Sequence, residues 1–320
     1  MASLAQAILA ARERLAQYIR VTPNEPSPAF SERLNVDVWL KREHLQHTGS
    51  FKARGALHKL LCLTRDERRA GVVTASSGNH GAGVAWASRT LGVSALVFVP
   101  EGASTAKVDM IRRYGAIVEV HGTDGLDTEV FARQDAAKRG RTYVSPYNDA
   151  DVIAGQGTVG VEIVEQLTSV DAVLVAVGGG GLIGGVAAYV KSRLPNVRVI
   201  GALPERSPVM ALSVRAGRIV EFNSEPTLSD GTAGGVEADS ITFELCRALV
   251  DDWVLVSENE IAAAMREFIA LEHQLIEGAA AVALAALGRK AAEFRGRRVA
   301  VVLCGGNVSL ETLQKVLAAT

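Results

Sequence analysis

The chain has 320 residues, 48% of them hydrophobic and 22% charged. That composition supports a sizeable buried core and excludes global disorder, low-complexity and collagen-like architectures. Lys and Arg total 34 against 35 Asp and Glu, a net charge of -1, so no overall field draws the chain toward nucleic acid or an acidic membrane.

The first twenty residues, MASLAQAILAARERLAQYIR, carry Arg12, Glu13 and Arg14 within an apolar pattern, which predicts an amphipathic helix rather than a signal-peptide core. Further along, β-branched apolar runs at residues 36–40, 72–75, 95–99, 117–120, 172–177, 197–202, 253–256 and 299–303 predict short buried strands. Helix-length stretches rich in Ala, Leu, Glu and Arg lie between many of them, at 79–91, 152–167, 182–193 and 258–272. Strand and helix alternate, and the strands are continuously apolar. Both features predict an α/β fold of parallel sheets covered on both faces. No solenoid-length repeat or Pro/Ser-rich linker interrupts the chain, so a second lobe is expected to be inserted into the first or packed tightly on it. No apolar run reaches the roughly 18 residues of a membrane helix, and the cytoplasm is the expected location. Three scattered cysteines, Cys62, Cys246 and Cys304, form no CxxC pair; they argue for a reducing compartment and against a disulfide framework or structural zinc.

Three predicted strands end in turns rich in glycine or hydroxyl groups: Thr74 to Asn79, Gly178 to Gly181, and Cys304 to Asn307. Ligands of open α/β sheets collect beyond the carboxyl ends of strands, so these turns are expected to converge on one cleft. Gly178, Gly179, Gly180 and Gly181 precede a helix-like stretch, where unpaired N–H groups and the helix dipole favour a phosphate. The same stretch satisfies G-x-G-x-x-G at Gly179, Gly181 and Gly184, with Glu205 following at the end of the next strand, so an NAD-dependent oxidoreductase is one alternative. A turn required only for tight strand–helix packing is another. Lys52 stands between a turn and an Ala/Leu-rich helix, where burial and the helix start both lower an amine's pKa and ready it for Schiff-base chemistry. A solvated helix-start lysine is the plain alternative. A nucleophilic lysine together with a phosphate cradle is what an aldehyde cofactor with a phosphate tail requires.

Five segments, Ser50 to Gly55 (SFKARG), Ser76 to His80 (SSGNH), Ala154 to Thr158 (AGQGT), the four glycines, and Cys304 to Asn307 (CGGN), stand in the order and spacing of the serine/threonine dehydratase family. The chain resembles these fold-type II pyridoxal-phosphate (PLP) enzymes, which include serine racemase, from about Val21 to its end. The resemblance implies two open, mostly parallel twisted sheets, tryptophan synthase β-like. Residues 46–145 would form a small domain inserted in a larger one of residues 1–45 and 146–320. It further implies that Lys52 holds PLP as a Schiff base, that Phe51 packs beside the ring, and that Asn79 meets the ring hydroxyl. Gly178, Gly179, Gly180, Gly181 and Leu182 would bind the phosphate and Cys304 would meet the pyridine nitrogen. Ser76, Ser77, Gly78, Asn79 and His80 would grip the substrate carboxylate, with Ser77 at the position that serves as opposite-face acid/base in the racemases. Read singly, Ser76 and Ser77 also suit capping of the next helix, His80 a structural hydrogen bond, and Cys304 a buried apolar role. Glu277 matches a family carboxylate near the cofactor and equally a helix-start acid.

The activity implied is β-elimination from a β-hydroxy-α-amino acid such as threonine or serine, giving a 2-oxo acid and ammonia, in a homodimer. A neutral thiol beside the ring nitrogen makes a weaker electron sink than a carboxylate partner would, which favours elimination over transamination. Lys52 is then the expected Cα base. Racemisation stays open through Ser77. The chain departs from the family at several points. Leu203, Pro204, Ser207 and Val209 stand where cation-binding relatives place ligands, so no metal site is expected unless Glu205 substitutes. Ala82, Tyr147 and the segment Ser229 to Gly235 leave the substrate's side chain open, phenylserine and hydroxyectoine-pathway types included. The C-terminal effector module of biosynthetic relatives finds no counterpart before Thr320, and feedback through it is not expected.

Overall fold

The computed structural model describes residues 2–123 and 125–318, without the side chain of Leu126. Ten strands form two sheets. The larger contains β1 (Asn24–Pro26), β2 (Asp37–Lys41), β7 (Ala172–Ala176), β8 (Arg198–Pro204), β9 (Asp252–Val256) and β10 (Arg298–Val302), in the order β1-β2-β10-β7-β8-β9. The smaller contains β3 (Val72–Ala75), β4 (Ala95–Val99), β5 (Ile117–Val120) and β6 (Thr142–Tyr143), in the order β5-β4-β3-β6. Every pairing is parallel except β1 with β2. The central strands are buried along their whole length because helices cover both faces, which is why β7 and β10 read as unbroken runs of Val, Ala and Leu. Among the described residues, no helix is long and apolar enough to cross a membrane.

All eight expected strands are present, with ends shifted by a residue or two. The sequence reading lacked β1 and β6, which are edge strands of three and two residues. Short edge strands carry too little apolar pattern to register, and Pro26 is tolerated at an edge because no neighbour needs its missing N–H.

The two sheets meet through the helices Lys52–Cys62 and Ala150–Gln166, which cross at close range. A Cβ on Gly155 would lie 2.6 Å from the Arg54 carbonyl oxygen, so only glycine permits this approach. At the crossing, Arg54 is 1% exposed and bonds both Glu43 (2.7 and 2.8 Å) and Glu162 (2.7 and 2.9 Å). Lys41, on β2, completes the group with a 2.5 Å bond to Glu162. Burial alone would raise the Glu162 carboxyl, but Arg54 and Lys41 outweigh it and hold the group below its ordinary range. Two cations and two anions thus cancel inside the protein and fix the helix that begins at Lys52. Replacing Arg54 with Ala leaves two buried carboxylates with one lysine. We expect it to cost about 3–5 kcal/mol in denaturant unfolding; a loss below about 1 kcal/mol would show that the network does not hold the crossing together.

Candidate active site

Lys52 opens its helix directly after a loop pinned to the end of β10. Ser50 bridges to Gly305, and the Phe51 N–H donates to the Cys304 carbonyl at 3.0 Å. The lysine amine donates to the Pro146 carbonyl at 2.8 Å and lies 5.2 Å from the centre of the Phe51 ring. Burial lowers it to about 8, against an opposing pull from Cys304 and Glu277. Cys304 is itself pushed well above its ordinary value by burial, so near neutrality it is an uncharged thiol. A lysine so placed is a nucleophile at physiological pH.

Beside Lys52, three polar side chains interlock. Asn79 donates to Glu277 at 2.7 Å, Asn307 donates through its side-chain amide to Asn79 at 2.7 Å, and the Asn307 backbone N–H donates to Glu277 at 3.0 Å. Glu277 is the residue before the helix Gly278–Lys290, but its carboxylate makes no cap; it faces this cluster instead. Burial raises its pKa to about 7 despite the donated bonds. Of the two sequence readings, the carboxylate beside the site describes its contacts.

The four glycines run from the end of β7 into the helix Gly181–Arg193. Gly180 takes the left-handed conformation at φ 84°, and no side chain caps the helix, so its first N–H groups stay available to an anion. Thr242 fixes the turn by donating to the Gly179 carbonyl at 2.6 Å. A Cβ on Gly179 would come within 2.3 Å of the Tyr147 ring. Leu182 is buried behind the turn. Gln156 donates to the same Pro146 carbonyl as Lys52, at 3.1 Å, while its own Oε1 is buried without a partner among the described residues, as are the hydroxyls of Thr48 and Ser50.

Ser76, Ser77 and Gly78 link β3 to the helix Asn79–Leu91. The expectation that a serine caps this helix is corrected: the cap position is Gly78, and Ser76 Oγ accepts instead from the Gly78 N–H at 3.2 Å. A Cβ on Gly78 would meet nothing within 4 Å, so the loop borders open space. His80 is buried, pushed down to about 3 by burial and by Lys52, and its Nε2 donates to the Val144 carbonyl at 2.9 Å. It is neutral and structural.

Three comparisons bear on this arrangement. Residues 15–305 match the family described as pyridoxal-phosphate dependent enzymes. The chain belongs to that family. The chain is 42% identical over 311 residues to the Escherichia coli K12 protein named L-threonine dehydratase catabolic TdcB, a match covering 97% of this chain and 94% of that one. Its fold superimposes on threonine deaminase isoform 2 from Solanum lycopersicum with a TM-score of 0.94 at 34% identity, over 99% and 93% of the two chains. Maize serine racemase gives a TM-score of 0.91 at 31% identity, over 98% and 96%.

The residues fit the cofactor of this pyridoxal-phosphate dependent family. An amine with lowered pKa suits its aldehyde, and the uncapped glycine turn suits its phosphate, so the nucleotide reading of Gly179, Gly181 and Gly184 falls away. Glu205, which that reading needed, is exposed and paired with Arg289 at 3.0 Å. Ser207, at a cation position of the relatives, bonds the Ser224 hydroxyl and the Gly234 N–H. Ala82 is fully buried in the apolar cluster that includes residues of β3 and β4. Pro146, Gln156 and Asn307 had no assigned role in the sequence reading. The last two sit inside motifs already singled out, which was the available signal; a backbone carbonyl such as that of Pro146 leaves none. Tyr147 also gains a definite position: its ring packs against Gly179 while its hydroxyl accepts from the Glu237 N–H at 3.0 Å.

The raised pKa of Glu277 has a measurable consequence. The folded carboxyl holds its proton from an ordinary 4.5 up to about 7, so the stability it contributes below 4.5 is lost as pH rises to 7. In the cofactor-free protein, the unfolding free energy of wild type minus that of Glu277→Gln should fall by roughly 3 kcal/mol across this window and stay flat above it. A difference that does not change with pH contradicts the assignment.

Proposed function

We propose that this chain is a lyase acting on a β-hydroxy-α-amino acid, threonine or serine, which loses its β-hydroxyl and amino group to leave a 2-oxo acid and ammonia. The observation that carries the reading is the Lys52 amine, lowered to about 8, placed beside a Cys304 thiol that stays neutral. The relatives support it: the most similar ones reported above bear threonine dehydratase or deaminase names.

Bound pyridoxal phosphate supplies an electron sink that acidifies the substrate Cα–H. The protein supplies the rest. Lys52 would hold the cofactor, and its amine when neutral would take the proton from the substrate Cα. Phe51 would pack beside the ring and Asn79 would meet the ring hydroxyl, its amide fixed by Glu277 and Asn307. The N–H groups of Gly178, Gly179, Gly180, Gly181 and Leu182 hold the phosphate. Cys304, uncharged, would offer the ring nitrogen no anionic partner, which favours loss of the β-substituent. Ser76, Ser77, Gly78, Asn79 and His80 form the carboxylate loop, and His80 anchors it through Val144. Residues 46–145 make the small domain in this reading, and residues 1–45 with 146–320 the large one. The same reading places a homodimer in the cytoplasm.

Borohydride trapping followed by peptide mass analysis should place one reduced cofactor adduct on Lys52, and wild-type protein should release 2-oxo acid from threonine or serine. Lys52→Ala should lose the adduct and slow release by about 10²–10⁴-fold. An adduct elsewhere sinks the site assignment. Accumulation of the D-enantiomer without 2-oxo acid sinks the lyase reading while leaving the site intact.

A further inference from the structure

The helix Lys52–Cys62 ends, far from its catalytic start, at three metal-ligating side chains that the reaction leaves unused. His58 and Cys62, four residues apart, share one face of that helix, and Asp151 stands in the first turn of the helix Ala150–Gln166. One ligand atom from each, a His58 ring nitrogen, Cys62 Sγ and an Asp151 carboxylate oxygen, lie within 4.8 Å of one another. His58 Nδ1 donates to the Asp151 backbone carbonyl at 2.8 Å, which fixes the ring's tautomer and makes Nε2 the acceptor nitrogen, the usual second-partner arrangement of a metal-binding imidazole.

Nε2 lies 3.6 Å from Cys62 Sγ. Zinc bonds of the usual lengths at a tetrahedral angle separate nitrogen and sulfur by about 3.5 Å. A positive group already occupies the spot: exposed Arg14 reaches over from the helix Ala2–Leu15, its Nη1 3.4 Å from both His58 Nε2 and Cys62 Sγ. Lys59 faces Asp151 at 3.0 Å but also Asp149 at 2.7 Å, so it keeps a partner when the Asp151 side chain, 40% exposed, turns inward. One nitrogen, one sulfur and one oxygen with a fourth position open to solvent suit a borderline-soft divalent ion and not a hard one, which asks for oxygen alone.

We propose that His58, Cys62 and Asp151 form a binding site for one divalent ion of the zinc class, which displaces the Arg14 guanidinium. The ion clamps the end of the helix that begins at Lys52 to the start of the helix that follows Pro146. Cys62 binds as thiolate and gives its proton to solvent. The sequence expectation of no metal rested on the lack of a CxxC pair and on Leu203, Pro204, Ser207 and Val209 at the family's cation position; the group of His58, Cys62 and Asp151 lies outside both patterns.

The test titrates Zn²⁺ into the holoenzyme against a chromophoric chelator and records absorption with Co²⁺ in its place. One tightly bound ion per chain and a thiolate-to-cobalt charge-transfer band are expected. Cys62→Ser should abolish the band and weaken zinc binding by roughly tenfold or more, whereas Arg14→Ala, which removes the competing cation, should tighten it. Neither side chain belongs to the catalytic residues, so turnover in metal-free buffer should match wild type in both. Absence of the cobalt band in wild type, zinc affinity unchanged in Cys62→Ser, or weaker binding in Arg14→Ala would each overturn the proposal.

Discussion

A lysine amine held deep in the protein without a carboxylate to pair with it is the constraint around which the structure is arranged. Its amine donates to an uncharged carbonyl, that of Pro146, and it neighbours a thiol that burial keeps protonated. Desolvation therefore wins over charge stabilisation, and the amine loses its proton near neutrality rather than near 10.5. The arrangement requires that real charge be kept elsewhere. Two residues along the same helix, Arg54 takes up the carboxylates Glu43 and Glu162, so the ionic anchoring of the helix stays out of reach of the amine it presents.

The same economy of charge runs through the rest of the site. Glu277 is raised toward neutrality by burial and spends its lone pairs on Asn79 and Asn307. His80 is uncharged and serves a carbonyl. What remains to meet an anion is backbone: the uncapped helix start after Gly180 and the loop before Asn79. Backbone N–H groups bind phosphate and carboxylate without adding a titratable charge that would compete with Lys52 for its proton.

Much of this was legible in the residues. Continuous apolar strands announced parallel, doubly covered sheets, and two of the turns at their ends meet where Asn307 donates to Asn79. Lys52, Asn79, the four glycines and Cys304 stood out by chemistry and order. Other parts were silent for physical reasons. The edge strands β1 and β6 are too short to show a period. Capping was the plain alternative for Ser76 and Ser77, since hydroxyls suit the position before a helix, yet the turn seats Gly78 there instead. The Pro146 carbonyl has no side chain to betray it, and the convergence of His58, Cys62 and Asp151 is a product of helix crossing, which Gly55 and Gly155 permit and no local spacing encodes.

The lowered basicity of Lys52 can be read directly. An NMR titration of its ε-carbon in cofactor-free protein, assigned by comparison with a Lys52→Arg sample, should give a midpoint near 8. A midpoint at the ordinary 10.5 would mean that the amine is charged at neutral pH, and that burial does not make it the nucleophile on which this account of the site rests.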